Sequence, residues 1–349
     1  MSLAAWRGPV PRAAVVGIAG PELAAAEREL LLALPPAGVI LFQRNCVDRP
    51  QLQALTEAIH ALGGSRRLPV LIDQEGGRVM RLRPPEWRLL PSAADLGRIT
   101  LDAPAAGHEA AWLVGRLIAH DLSEVGIDID CAPCLDVAGA GMTEAIGSRS
   151  FAADPGLVAT LARAFADGLL AGGVAPVIKH LPGHGRAVVD SHLQLPTVSA
   201  ALTELEPTDF APFAALRDLP FAMTAHVVFE HLDPGRPATI SPRVIGNTIR
   251  GRLGVQGILL SDDLAMQALT GDPPARAVAA LEAGCDLALF CPGRLCDNRA
   301  VLQAVPPLAA SILARLDGVL AALAAVPPAP FDAAAAGRRL ADLLAGTLA

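Results

Sequence analysis

Eight short apolar runs, most of them followed by a longer segment with helical periodicity, constrain the fold more than any other feature. The runs are apolar throughout instead of alternating, which indicates strands buried on both faces and therefore a parallel sheet. They span residues 13–19, 37–42, 68–74, 126–133, 174–180, 221–229, 255–263 and 285–291. Eight such units with no linker between them predict an α/β fold, a closed (β/α)8 TIM barrel, in preference to an open doubly wound sheet.

The segments between the runs support this prediction. Residues 49–63, 107–126 and 154–173 have the clearest helical periodicity, and the last ends in Gly-Gly, a common helix stop. No G-x-G-x-x-G follows the first run, which argues against dinucleotide binding. After about residue 300, prolines and alanine-rich stretches predict peripheral helices at the bottom or side of the barrel. We therefore expect residues 1–349 to form a single domain.

Composition excludes several classes of partner. A net charge of −7 and a pI near 5.6 argue against nucleic acid and anionic membranes. Uncharged runs are shorter than the ~20 residues of a spanning helix, and the N-terminus lacks the pattern of a signal peptide. The six cysteines lie largely in apolar runs, and "CAPC" at 131–134 ends a strand-like run, which favours core packing over a redox motif. The sequence predicts a cytoplasmic protein.

Polar residues cluster where five of the predicted strands end. One such residue is usually a helix cap, but the carboxyl ends of barrel strands meet at one face, so five together predict a common site. The residues are Asp73, Glu75, Arg78, Arg81, Asp136, Arg149, Lys179, His180, His226, Asp262 and Asp263.

The stretch "KHLPGHGRAVVDSH" (179–192) holds three of the eight histidines. His180 and His184 have the spacing of two zinc ligands on a helix, but the Pro-Gly between them breaks a helix. A phosphate-binding loop and purely structural histidines are further alternatives. Asp190 beside His192 favours a loop that moves a proton near neutral pH and grips a sugar, because the carboxylate orients the ring.

These motifs together resemble family 3 glycoside hydrolases, in particular the single-domain bacterial β-N-acetylglucosaminidases of peptidoglycan recycling. The resemblance rests on the 179–192 stretch together with "SDDLAM", "GVILFQRN", "IDQEGGRVMRL", "GIDIDCAPCLDV", "IGSRSF" and "AGCDLALFC", in the family's order over roughly residues 15–295. Leu181 stands where many relatives have phenylalanine.

The resemblance implies roles for eight residues. Asp262 matches the nucleophile of a retaining mechanism, and His192 with Asp190 matches the acid/base pair. Asp73, Arg81, Arg149, Lys179 and His180 match positions that bind the terminal sugar. The choice of Asp262 over Asp263 rests on the resemblance, because neighbours on a strand point to opposite sides. Neither a metal nor an organic cofactor is implied.

The expected activity is removal of non-reducing terminal GlcNAc from GlcNAc-1,6-anhydro-MurNAc, with or without peptide. The expected partner is thus a small-molecule sugar and neither nucleic acid nor a membrane. Two alternatives remain open: a glycoside phosphorylase of the same fold, since a histidine repels phosphate less than a carboxylate does, and a sugar-binding barrel without catalysis.

Overall fold

A closed ring of eight parallel strands forms the centre of the molecule in the computed structural model, which describes residues 10–64, 66–139, 141–191, 194–325 and 329–346. The strands are β1 (Arg12–Gly17), β2 (Pro36–Leu41), β3 (Val70–Ile72), β4 (Ile129–Asp130), β5 (Ala175–Leu181), β6 (Phe221–Thr224), β7 (Ile258–Leu260) and β8 (Ala288–Phe290). They pair in the order β8–β1–β2–β3–β4–β5–β6–β7. A parallel bridge between Leu260 and Leu287 closes the ring. The predicted (β/α)8 barrel is confirmed.

Helices surround the ring, and three of them begin at an aspartate with a proline one or two residues later. The helices are α1 (Ala25–Ala33), α2 (Arg49–Leu62), α3 (Ala93–Asp102), α4 (Pro104–Glu124), α5 (Pro155–Ala171), α6 (Leu202–Leu205), α7 (Ala211–Ala215), α8 (Pro273–Ala283), α9 (Leu295–Ala304), α10 (Ala310–Ala325) and α11 (Ala333–Ala345). A π-helix, Val244–Arg252, precedes β7. The side chains of Asp48, Asp154 and Asp272 accept backbone N–H bonds at the starts of α2, α5 and α8, which satisfies donors that a helix start leaves free.

The helix α10 closes the amino-terminal end of the barrel. Leu313 and Leu316 of this helix belong to the same buried cluster as Val15 and Ile40 inside the ring. The Leu308 N–H donates to the Pro11 carbonyl at 2.7 Å, next to the start of β1. The helix α11 packs outside, against α4. Because apolar side chains fill the ring from this end, polar chemistry is left to the carboxyl ends of the strands.

The third strand is shorter than predicted. The sequence predicts a strand over 68–74, whereas β3 covers only Val70–Ile72. Beyond it, the Gln74 N–H donates to the Asp130 carboxylate at 2.9 Å and not to a neighbouring strand. The Asp130 side chain thus accepts a hydrogen bond that a backbone carbonyl of the next strand would accept in a continuing sheet. The strand ends here and a loop begins.

The predicted strand over 221–229 is in fact two separate strands. Residues of β6 belong to the barrel, but Val228–Phe229 pairs with Thr197–Val198 in a separate two-stranded sheet. The Ala225 N–H still bonds to Leu181 of β5, so the chain leaves the ring after this residue. An apolar run gives no sign of such a division, because both pieces are buried.

All six cysteines are unpaired, and Cys131 and Cys134 of the "CAPC" motif are buried. Among the described residues, no helix has the length and hydropathy that crossing a membrane requires.

Candidate active site

A cavity of about 330 Å³ opens at the carboxyl-terminal ends of the strands. Every strand of the ring except β1 contributes to its lining, either directly or through the loop that follows it. Seven of the eight residues predicted for the site line this cavity: Asp73, Arg81, Arg149, Lys179, His180, Asp190 and Asp262. The eighth, His192, lies outside the described residues. The roles of all eight stay predictions.

Lys179 is the most deeply buried cation of the cavity. Its side chain is only 2% exposed, and its Nζ lies 2.8 Å from Asp73 Oδ1 and 2.6 Å from Glu75 Oε1. Burial would lower the pKa of this ammonium, but the two carboxylates raise it above its ordinary value. Burial alone would raise the pKa of Asp73, yet Lys179 and Arg81 hold it below its usual range. Lys179 and Asp73 are thus both charged at neutral pH.

Glu75 joins two of the cations and was not among the predicted binding residues. Its carboxylate accepts two bonds from Arg149, Nε to Oε2 and Nη2 to Oε1, both 2.8 Å long. Despite burial, Arg149 and Lys179 lower its pKa to about 2. The sequence did contain a signal that could have identified Glu75 as a site residue. Glu75 lies two positions after Asp73, and residues two apart on an extended chain face the same side.

Asp136 is a fully buried carboxylate shared by two histidines. Its Oδ2 lies 2.7 Å from His180 Nδ1, and its Oδ1 accepts the His184 backbone N–H at 2.6 Å. The Nε2 atom of His180 lies 3.2 Å from Arg149 Nη2. Because a guanidinium only donates, this Nε2 is the acceptor and the hydrogen sits on Nδ1, directed at Asp136. Burial alone would raise the Asp136 pKa, but His180 and His184 hold it below its usual range.

The loop after β5 is attached to Asp136 through His184. The Nε2 of the buried His184 lies 3.0 Å from the hydroxyl of Ser191, which is also buried. Gly185 fits here because a Cβ at this position would lie 1.7 Å from the carbonyl oxygen of Val137. The sequence assignment of His184 to loop structure agrees with these contacts, and its place in the cavity lining is an addition.

Asp262 and Asp263 have different surroundings, although both line the cavity. The Asp263 carboxylate accepts the backbone N–H groups of Ala265 at 3.0 Å and Cys291 at 3.1 Å. Asp262 Oδ1 accepts the Asp263 N–H at 2.8 Å. Burial raises the pKa of Asp263. Burial would do the same to Asp262, but the Asp263 N–H and the charge of Lys179 help to hold its pKa below the ordinary value. Asp262 is therefore the better candidate for an ionised, reactive carboxylate.

His226 supports the turn that carries these aspartates. Its Nε2 lies 3.0 Å from the Asp263 carbonyl oxygen, and its Nδ1 lies 2.8 Å from the Thr239 hydroxyl. Burial lowers the pKa of this ring, so it is neutral at pH 7, with its hydrogen on Nε2. The sequence placed His226 at the site, and the structure puts it behind the cavity wall.

Apolar side chains form the rest of the lining. Phe42, Met223, Met266 and Leu289 are among them. The guanidinium of Arg81 lies 5.2 Å from the centre of the Phe42 ring, so this ring helps to fix the direction of Arg81. Alternating charged and apolar surfaces suit a sugar, whose hydroxyls lie around the ring edge and whose C–H groups form its faces.

One buried group in the cavity wall has side chains of metal-ligand type. These are Cys134, Asp136 and His180. Their atoms already bond to one another, with Cys134 Sγ 3.1 Å from Asp136 Oδ2. Burial raises the pKa of the Cys134 thiol well above its ordinary value, which opposes the thiolate that a metal needs. A second group, His120, Asp121 and Glu124, lies on α4, away from the cavity.

Comparison with known proteins decides the family. Residues 12–318 match the model of the glycosyl hydrolase family 3 N-terminal domain. The chain belongs to glycosyl hydrolase family 3. The resemblance predicted from the sequence is thereby confirmed, and the protein is a glycoside hydrolase.

Relatives of this family 3 hydrolase are similar over most of their length. A protein named beta-hexosaminidase from Alkalilimnicola ehrlichii is 45% identical over 283 residues, which are 79% of this chain and 80% of that protein. One from Bordetella avium is 40% identical over 310 residues, 88% of this chain and 84% of the relative. The crystal structure of NagZ from Neisseria gonorrhoeae in complex with N-trifluoroacetyl-D-glucosamine aligns with a TM-score of 0.86 at 34% identity, covering 97% of this chain and 99% of the other.

The buried His184 ring predicts a pH-dependent component of stability. Burial lowers its pKa from the ordinary 6.5 to about 4. Between these two values the unfolded chain binds this proton and the folded chain does not, so stability decreases as the pH falls from 6.5 to 4. The loss should reach on the order of 3 kcal/mol, since one pKa unit corresponds to about 1.4 kcal/mol.

Urea unfolding of the parent and of His184→Gln at pH 7, 6, 5 and 4.5 measures this component. We expect the free energy of unfolding to fall more steeply with acidification in the parent than in the variant. Identical slopes would mean that His184 is not neutral in the folded protein.

Proposed function

We propose that this protein is a retaining exo-β-N-acetylglucosaminidase that removes non-reducing terminal GlcNAc from GlcNAc-1,6-anhydro-MurNAc, with or without peptide. The observation that carries the proposal is Asp262, a half-buried carboxylate with a lowered pKa in the same cavity as Lys179, Arg149 and Asp73. The relatives named beta-hexosaminidase and the aminosugar derivative bound to NagZ support an N-acetylated sugar as substrate.

The terminal sugar is held by charged hydrogen bonds. Lys179 and Arg149 donate to hydroxyl oxygens, and Asp73 accepts hydroxyl hydrogens. Such bonds to ionised groups are about twice as strong as neutral ones. Arg81 and His180 complete this set of binding residues. Because the cations and carboxylates already pair with one another, they keep their positions before the sugar arrives, so little reorganisation is needed on binding.

The first chemical step forms a covalent glycosyl-enzyme. An Asp262 oxygen attacks the anomeric carbon and forms a C–O bond, while the glycosidic C–O bond breaks. The departing oxygen takes a proton from His192. In the second step His192 removes a proton from water, whose oxygen attacks the same carbon and releases Asp262. Two inversions at one carbon retain its configuration.

Asp190 is proposed to orient the His192 ring and to stabilise its cation. Asp190 lines the cavity, which supports a role for this loop in the reaction. A histidine suits the role because its ordinary pKa of about 6.5 allows it to donate and accept at neutral pH.

Two other assignments remain as alternatives. A phosphorylase would use phosphate in place of water in the second step. A non-catalytic sugar-binding barrel would need the charged residues that bind the sugar but not an ionised Asp262.

The proposal also includes residues 1–349 as one catalytic domain and a cytoplasmic location. The six unpaired cysteines favour this location.

Initial rates on 4-nitrophenyl N-acetyl-β-D-glucosaminide and the matching β-glucoside test the proposal directly. We expect a preference of at least ~100-fold for the acetamido sugar in kcat/KM, unchanged by phosphate, and GlcNAc as the product. Sugar 1-phosphate as the product would assign a phosphorylase. No turnover of either sugar would favour the binding protein. Muropeptide fragments are the next substrates to measure.

Asp262→Asn should lower kcat by more than ~1000-fold, because an amide does not form the glycosyl-enzyme. The thermal midpoint should change little, since one backbone N–H bond is the only hydrogen bond recorded for this carboxylate in the described part of the chain. Asp263→Asn is the matched control and should act mainly on stability, through the Ala265 and Cys291 N–H groups. Turnover by Asp262→Asn close to that of the parent would remove Asp262 from the nucleophile role.

His192→Ala should distinguish substrates by their leaving groups. An alkyl or sugar leaving group needs a proton as it departs, whereas 4-nitrophenolate does not, and general acid catalysis contributes ~100-fold or more. We expect the loss of kcat/KM to be at least ~10-fold larger on a methyl or disaccharide glycoside than on the 4-nitrophenyl glycoside. Equal losses on both would contradict the role of His192 as proton donor.

A further inference from the structure

Glu75 is a buried carboxylate between two of the cations proposed to bind the sugar. We propose that Glu75 is a positioning residue: it holds Lys179 and Arg149 side by side and thereby sets the affinity of the cavity for N-acetylglucosamine. This inference deepens the proposed function and rests on it.

The geometry involves both oxygens of the carboxylate. Oε1 lies 2.6 Å from Lys179 Nζ and 2.8 Å from Arg149 Nη2, and Oε2 lies 2.8 Å from Arg149 Nε. The Glu75 side chain is 7% exposed, Arg149 12% and Lys179 2%. A bidentate pair this well buried fixes the orientation of the guanidinium as well as its distance.

Charge balance gives Glu75 a task that no other residue described in this region performs. Asp73 pairs with Lys179 but is shared with Arg81, whose Nη2 lies 3.1 Å away. Among the described residues, Arg149 has Glu75 as its carboxylate partner, and its other hydrogen bonds involve the Ala145 carbonyl and His180. Without Glu75, two buried cations would repel each other across the gap and move apart.

An amide cannot replace this carboxylate. Both oxygens accept hydrogen bonds from cationic N–H groups, so either orientation of a glutamine would direct its NH₂ group at another donor. We therefore expect Glu75→Gln, although nearly identical in shape, to lose about as much as Glu75→Ala. A shift of 1 Å in binding groups can cost ~100-fold in rate, which sets the scale of the expected loss in kcat/KM.

Acetate provides a test that a merely structural role would not pass. Replacing Glu75 by alanine removes two carbons and two oxygens, the heavy atoms of an acetate ion. Acetate should raise kcat/KM of Glu75→Ala on 4-nitrophenyl N-acetyl-β-D-glucosaminide at least ~10-fold, in a saturable manner. The neutral isostere acetamide should not do so, and acetate should not change the rate of the parent.

Asp121 offers a matched control on α4. Its buried carboxylate also joins two cations, with Arg88 Nε at 2.9 Å and Arg49 Nη2 at 3.4 Å. It lies outside the cavity lining. Asp121→Ala should lower the thermal midpoint, leave kcat/KM unchanged and show no response to acetate. Circular dichroism checks that each variant is folded. If Glu75→Gln or Glu75→Ala is not folded, Glu75→Asp takes its place.

The outcomes separate clearly. Loss of ~100-fold in both Glu75→Gln and Glu75→Ala, with acetate acting on the second only, supports the inference. Activity of Glu75→Gln within ~3-fold of the parent, or no effect of acetate on Glu75→Ala, overturns it. Glu75→Asp, whose shorter side chain cannot reach both cations, should lose at least ~10-fold, and unchanged activity would also overturn it.

Calorimetric binding of N-acetylglucosamine separates this inference from the proposed function. If the parent binds the sugar but does not hydrolyse the glycoside, the hydrolase proposal fails, and weaker binding by Glu75→Gln still supports the positioning role. If the parent hydrolyses the glycoside and Glu75→Gln binds the sugar equally well, only the inference about Glu75 fails.

Discussion

Closure of the sheet is the constraint on which the rest of the molecule depends. The barrel strands are only two to seven residues long, so each forms few hydrogen bonds with any one neighbour. The bridge between Leu260 and Leu287 gives every strand a neighbour on both sides, and a ring has no open edge. Closure therefore fixes the strand ends relative to one another, which is what brings Asp73, Lys179 and Asp262 into one cavity.

Ionic pairing makes it possible for that cavity to be highly charged and still mostly buried. A buried ammonium such as Lys179 is stable only where carboxylates surround it, and Asp73 and Glu75 meet this need. The same pairs keep donors and acceptors ready for a polyhydroxylated ligand. Asp262 differs, because its oxygens bond to no cation among the described residues. The Asp263 N–H and the more distant charge of Lys179 favour its ionised form, which leaves it free to react.

The fold could be predicted from the sequence because apolar strand runs and helical periodicity are local signals, and the strand runs occur eight times. The strand ends could not, since they depend on tertiary bonds such as that between Gln74 and Asp130. For the site, strand-end positions located most of the charged cavity residues, although His226 and Asp136 lie outside the cavity lining. They could not show which charges pair, so Glu75 was noticed as a polar residue but not as the partner of Arg149. The preference for Asp262 over Asp263 rested on the resemblance, and a physical reason for it needed the backbone bonds of Asp263 to Ala265 and Cys291.

The shared use of Asp136 limits how this protein can evolve or be engineered. One carboxylate orients His180, which lines the cavity, and anchors His184, which contacts Ser191 in the loop after β5. A substitution at Asp136 would therefore alter sugar recognition and loop attachment together, and neither trait could be selected without the other. Met223 and Leu289, both in the described part of the chain, contribute apolar surface to the cavity and make no hydrogen bond to Asp136. Substitutions at these two positions can therefore change sugar preference without altering the attachment of the loop.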